Sequence, residues 1–334
     1  MAMPSDAILA ASSSWTTNAR ASDDYALDVN LPQFGGGAVL LWALGLRPSK
    51  DNFWTTNSSS ARPPNYAPDA NPGQDIELNA IVAALSTGPV GISDAFNATD
   101  VALVMRTCAA DGTLLQPLRP PTPVDRSYAR PEPKSQSRVR RDPGSDRAEL
   151  ATPPAPGRQT VRRYAAGWPG GRVWTAHAAA GAQDTHLTLS MDVDAPDLNL
   201  SASDFYPRPN ATAWLHRDWH APACVDGERA TCVSDAWPSL TSTDRGDRTA
   251  FDLWLSYPAD GAWVLLGELD KFVPLAAARF ADASANATSC AASLRGAPGE
   301  AVVVTALELV GGAWTAHVHT ATLDGDGLGE VIFS

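Results

Sequence analysis

Ile8-Leu-Ala-Ala-Ser-Ser-Ser-Trp15 leads into Arg20-Ala-Ser-Asp-Asp-Tyr25, and the reading of this junction decides the fold. The first run is apolar and small and reads as a short buried strand. The second places two adjacent carboxylates, Asp23 and Asp24, just beyond it, with Arg20 four residues before Asp24 and an aromatic directly after. Carboxylates past the ends of parallel strands are where barrel enzymes keep their acids and bases. A carboxyl flanked by a second carboxylate and a guanidinium has neighbours that move its proton affinity in opposite directions, which suits proton transfer. The competing reading is a helix N-cap, because Ser-Asp-Asp before a helix is ordinary capping chemistry.

Outward from this junction, residues 1–116 read as alternating strand and helix. Phe34-Gly-Gly-Gly-Ala-Val-Leu-Leu-Trp-Ala-Leu-Gly-Leu46 is an apolar helix with a glycine-rich start, and Pro48 is expected to end it. Ser49-Lys-Asp-Asn-Phe-Trp-Thr-Thr56 follows as a short strand and loop, and residues 57–73 form a surface excursion. Asp75 to Leu85 has helical spacing, with apolar residues at 76, 78, 81, 82 and 85. Gly88-Pro-Val-Gly-Ile-Ser-Asp94 reads as a strand ending in a carboxylate, and Thr99 to Cys108 as another helix stopped by Asp111-Gly112. Strand–helix–strand–helix order predicts a parallel sheet.

Residues 117–170 are rich in Pro, Arg, Ser and Gly, including Arg138-Val-Arg-Arg141 and Thr152-Pro-Pro-Ala-Pro156. Such a composition buries too little apolar surface to fold, so a disordered linker or insertion is expected. Residues 171–334 are all-β in texture. Arg172–His177, His186–Met191, Ala250–Ser256, Ala262–Leu266 and Ala301–Thr305 alternate or pack apolar residues between Pro, Gly and Asp turns. The spacing predicts an antiparallel β-sandwich of roughly seven to nine strands.

The chain of 334 residues is 44% hydrophobic and 19% charged, enough for a sizeable core. A formal net charge of -12 argues against a nucleic-acid partner, since a phosphate-binding surface needs a basic excess. No eighteen-residue apolar run is present, so no membrane span is expected. The first residues lack a basic region followed by an apolar stretch, so no signal peptide is read there. Five sequons, at Asn57, Asn97, Asn199, Asn210 and Asn286, nevertheless point to the secretory pathway. Cys224 and Cys232 bracket a short polar loop and suit a local disulfide in an oxidising compartment. Cys108 reads as a buried thiol, and Cys290 has no obvious mate.

Three of these segments, Arg20–Tyr25, Ser49-Lys-Asp-Asn-Phe-Trp54 and Gly88–Asp94, resemble in order and spacing the late barrel-strand motifs of family-36 glycoside hydrolases. The likeness is to the α-galactosidase and raffinose-synthase branch. Ala109-Ala-Asp-Gly-Thr-Leu-Leu-Gln-Pro-Leu118 also looks like that family's exit from its barrel. The resemblance covers residues ~5–125 and implies the C-terminal part of a (β/α)8 barrel, about three βα units, followed by the β-sandwich. It implies retaining hydrolysis or transfer of an α-galactosyl unit by two carboxyls about 5–5.5 Å apart. Asp24 falls at the acid/base position. Arg20, Asp23, Asp51, Trp54 and Asp94 fall around the sugar. The family's nucleophile lies on an earlier strand, so the chain reads as a fragment of a secreted or endomembrane enzyme, inactive alone. The alternative is a non-catalytic carbohydrate-binding or structural module.

The remaining residues add no cofactor. His216 and His220 have i,i+4 spacing, and His317 and His319 would share a strand face, but no cysteine or carboxylate cluster completes a metal site. The eleven tryptophans are read mainly as core of the β region, with some as sugar platforms. No Gly-x-Ser-x-Gly, P-loop or dinucleotide fingerprint is present.

Overall fold

A computed structural model of the chain describes residues 15–21, 36–56, 76–125, 173–191, 194–241 and 251–334. The strand expected at 8–14, Asp23, Asp24, Asn57 and the Pro/Arg-rich tract from 126 to 170 lie outside the described residues.

Four of the five sheets are antiparallel, and the described residues hold three short helices. Helix α1 is Gly36–Ala43, α2 is Ile76–Leu85 and α3 is Val101–Met105. The only parallel pair among the described residues joins β1 (Asn18–Arg20) to β2 (Arg47–Ser49), with Arg20 opposite Ser49. A single parallel bridge, Phe53 to Ile92, extends it.

These facts overturn the (β/α)8-barrel remnant. Strands of three residues are too short to close a barrel wall, and Gly88–Asp94 makes one bridge instead of a strand. Pro89 lacks an N–H, and the glycines on either side let this segment lie close against β2: a Cβ on Gly88 would come within 2.4 Å of the Pro48 carbonyl oxygen. The helices fail the barrel in a second way. Helix α2 is buried at every position from Leu78 through Leu85, all of them apolar except Asn79. Such a helix belongs inside a core, not on the outer ring of a barrel.

Pro48 does not end α1. It sits within β2, and the helix stops at a Schellman turn in which Gly45 takes φ +81 and Leu46 N–H donates to the Leu41 carbonyl at 2.9 Å.

The described residues of the C-terminal half hold twelve strands, more than the seven to nine expected. A five-stranded sheet has the order β3-β4-β5-β9-β7, with β3 Thr122–Pro123, β4 Val173–Ala180, β5 Gln183–Met191, β7 Trp214–Asp218 and β9 Phe251–Pro258. Strands β10 (Trp263–Gly267), β13 (Ala301–Val310) and β14 (Ala313–Thr322) form a second sheet. A third comprises β11 (Phe280–Ala285), β12 (Cys290–Arg295) and β15 (Leu328–Phe333). A short pair joins β6 (Asp194–Asn199) to β8 (Ser239–Thr241). Residues 118–124, expected to begin a linker, are instead bonded along β4: Leu118 N–H donates to His177 and Val124 N–H to Val173, both at 2.9 Å.

One apolar core runs through both halves. It joins Phe53, α2 and Leu115 to Leu187, Leu253, Tyr257, Leu265 and Val304. The five-stranded sheet presents Leu187, Leu189, Leu253 and Leu255 to this core. Its other face is polar and aromatic. There His186 stacks between His177 at 4.8 Å and Phe205 at 4.5 Å, and His216 bonds Ser256 at 2.8 Å.

Cys224 and Cys232 are joined by a disulfide, and Cys108 and Cys290 are free and buried. The bracketed segment runs along the edge of β14. Gly227 N–H donates to Ala316, Ala316 N–H to Glu228, and Ala230 N–H to Trp314, at 2.8 to 2.9 Å. No helix among the described residues is long and apolar enough to cross a membrane.

Candidate functional site

The parallel pair places side chains of opposite charge at the ends of adjacent strands. Arg20 closes β1, and its guanidinium donates to Asp51, two residues past β2, at 3.0 Å. The two side chains are 26% and 14% exposed, so the ion pair stands at a rim, partly screened by water. Lys50, between them in sequence, is buried. Burial pushes its ammonium down to about 7, with Asp51 pulling the other way. It lies 5.4 Å from the centre of the Phe53 ring and donates to the Asp51 carbonyl at 3.3 Å. A lysine titrating near neutrality beside a carboxylate is a common mark of a functional site.

Asp94 lies at the neighbouring segment end. It accepts the Thr55 N–H at 2.9 Å and the Thr55 hydroxyl at 2.6 Å. The same hydroxyl accepts the Asp100 N–H at 2.7 Å, and the Asp100 carboxylate caps α3 at Leu103 N–H. The Asn52 amide bonds the Ser93 hydroxyl and ties the two segments together. Of the residues expected to surround a sugar, the structure thus sets Arg20 against Asp51 and holds Asp94 one segment over. Trp54 is buried, 5% exposed, and offers no open indole face for stacking.

The structure also gathers a constellation that sequence reading missed. Glu77, on the first turn of α2, accepts from Arg106 at 2.8 Å and from the Trp219 indole at 2.9 Å, and it meets His220 at 3.3 Å. The His220 hydrogen bond, aided by Trp219 and Arg106, holds the Glu77 carboxyl below its usual range against the opposing effect of burial. These residues line a cavity of about 420 Å³ together with Leu269 and Asp270. Glu77 and His220 are 143 residues apart, so no local pattern announced the pairing. The nearest sequence signal, the i,i+4 spacing of His216 and His220, reads as an incomplete metal site. The two instead occupy strand β7 and the turn after it, and His216 is buried against Trp237. Among the described residues no group of three or more His, Cys, Asp or Glu is placed to hold a metal ion.

The four sequon asparagines among the described residues, Asn97, Asn199, Asn210 and Asn286, are all exposed. No family model matches the chain, and no curated protein matches it.

Proposed function

We propose that the chain is the sugar-recognising part of a glycoside-processing protein that takes α-galactosides. The observation that carries this reading is the Arg20–Asp51 ion pair at the ends of adjacent parallel strands, with Asp94 on the next segment. Carboxylates accept hydrogen bonds from sugar hydroxyls and guanidinium donates to them, and a rim position leaves both within a ligand's reach. Asp24 takes the acid/base role in this proposal, four residues beyond Arg20, with Asp23 beside it. Asp51, held by Arg20, and Asp94, held by Thr55, orient sugar hydroxyls in this reading and are not assigned the role of the second carboxyl that retention demands. In this reading the chain by itself binds a sugar without cleaving it.

Calorimetric titration of the full chain with galactose or raffinose tests the first part. Saturable binding is expected, weakened at least tenfold by Asp51→Asn. Absence of binding, or binding indifferent to that change, refutes the reading. Incubation with an aryl α-galactoside tests the second part, and turnover by the chain would overturn it. The disulfide and the exposed sequons support residence in an oxidising, glycosylating compartment. Expression through a secretory pathway should give a mass that drops on enzymatic removal of N-glycans; an unchanged mass counts against it.

A further inference from the structure

Four separated segments meet at the Glu77 cavity. Glu77 comes from α2, Arg106 from the end of α3, Trp219 and His220 from the turn after β7, and Asp270 from the loop after β10. It shares no residue with the strand-end cluster of Arg20, Asp51 and Asp94.

One wall is fixed in advance. Both Glu77 oxygens are engaged, and Arg106 also lies 5.6 Å from the Trp219 ring. Trp219 is in turn packed on Phe272 at 5.0 Å. Groups held this way lose little freedom when a ligand arrives. Asp270, on the same cavity, is 67% exposed; its Oδ2 lies 3.5 Å from the Lys271 ammonium, and the rest of the carboxylate is open to new donors. Arg106 is 42% exposed, and a guanidinium has five N–H groups, of which one serves Glu77.

The sign pattern selects the ligand class. An anion entering here meets Glu77 and Asp270. A cation meets Arg106. Neither sign gains without facing its like. An uncharged molecule that both donates and accepts hydrogen bonds gains from each wall. Its donors reach Asp270 and its acceptors reach Arg106, while Leu269 offers apolar surface to C–H groups. A volume of about 420 Å³ matches a mono- or disaccharide. We infer that the Glu77–Arg106–Trp219–His220–Asp270 cavity is a second binding site, for a neutral polyhydroxylated ring, at the junction of the short helices and the antiparallel sheets.

The Trp219 indole N–H reports directly on this cavity, because it donates to Glu77. Its ¹⁵N–¹H resonance in the full chain is identified by loss in Trp219→Phe. Galactose and raffinose are the probes, with galacturonate and galactosamine as charged comparators. The neutral sugars should shift the resonance saturably, and the charged ones should bind at least tenfold more weakly. Asp270→Asn should weaken the response at least tenfold with an unchanged melting temperature, whereas Asp51→Asn should leave it intact. A resonance that no sugar moves overturns the inference. So does a response indifferent to Asp270→Asn, or one that favours a charged comparator. A response abolished by Asp51→Asn also overturns it, by placing the sugar at the strand-end cluster. Persistence of the Trp219 response with no binding at Asp51 would sink the strand-end reading and leave this cavity standing.

Discussion

Two arginine–carboxylate clusters in this molecule have opposite surroundings. Arg279 is 1% exposed and is filled on every side. Its Nε donates to Glu268 at 3.0 Å, and its Nη1 donates to the Arg295 carbonyl at 2.6 Å and to Glu300 at 3.0 Å; Nη2 donates to Glu300 as well. Glu300 also accepts from the Ala110 and Ala297 N–H groups, tying the segment after α3 to the sheets. Even the neighbouring glycine is required, because a Cβ on Gly296 would fall 2.1 Å from Arg279 Nη1. Arg20 and Asp51 sit at the rim of a two-stranded parallel pair, in contact with water. Guanidinium paired with carboxylate is enclosed around Arg279 and open to water at Arg20, and the proposed function assigns recognition to the open pair.

The largest test of that contrast is Arg279→Ala. It leaves the buried Glu268 carboxylate with Lys271 alone and the half-buried Glu300 carboxylate without its guanidinium, and should cost about 3–5 kcal/mol in a denaturant titration. A loss below ~1 kcal/mol would dissolve the distinction between the clusters. The next effect comes from neutral polar groups enclosed by the five-stranded sheet. Burial, reinforced by His177 and Arg119 and opposed by Asp184, pushes His186 down to about 3. Burial, opposed by Asp235, pushes His216 down to about 4. Both folded values lie below the unfolded one near 6.5, so the unfolded chain binds more protons between them. The stabilisation is complete above pH 6.5 and is lost as pH falls towards those values. By pH 5 the loss should be roughly 2 kcal/mol per histidine, and His186→Phe should flatten the pH dependence of the melting temperature. The smallest effect belongs to the rim. Arg20→Ala should cost about 1 kcal/mol or less in stability while abolishing galactoside binding at the strand-end cluster, and a larger stability loss would make that pair structural.

The same division between enclosed and edge positions governs what the sequence disclosed. Stretches read as strands at Arg172–His177, His186–Met191, Ala250–Ser256 and Ala301–Thr305 overlap β4, β5, β9 and β13, because alternation is a local property of a half-buried strand. Helical spacing in Asp75–Leu85 likewise coincides with α2. What local pattern does not carry is partnership. The carboxylates Asp51 and Asp94 follow stretches read as short strands, as barrel residues would, yet nothing in those stretches specifies how many strands lie beside them. Glu77 reads as an ordinary first-turn acid of a helix, and only packing of α2 against the β7 turn brings Trp219 and His220 to it. Pro48 misled for a related reason: a proline at an edge strand looks, in sequence, like a helix stop.

The Cys224–Cys232 bracket has a consequence for solubility. Strand β14 is ten residues long and lies at the edge of its sheet, a row of amide groups ready to template another chain. Residues 226–230 occupy part of that row as a short covering ribbon, and the disulfide pins the ribbon at both ends. In a reducing medium the pin opens and the ribbon can lift away. The bond then guards less against unfolding than against self-association, keeping the open flank of one molecule from becoming the next strand of another.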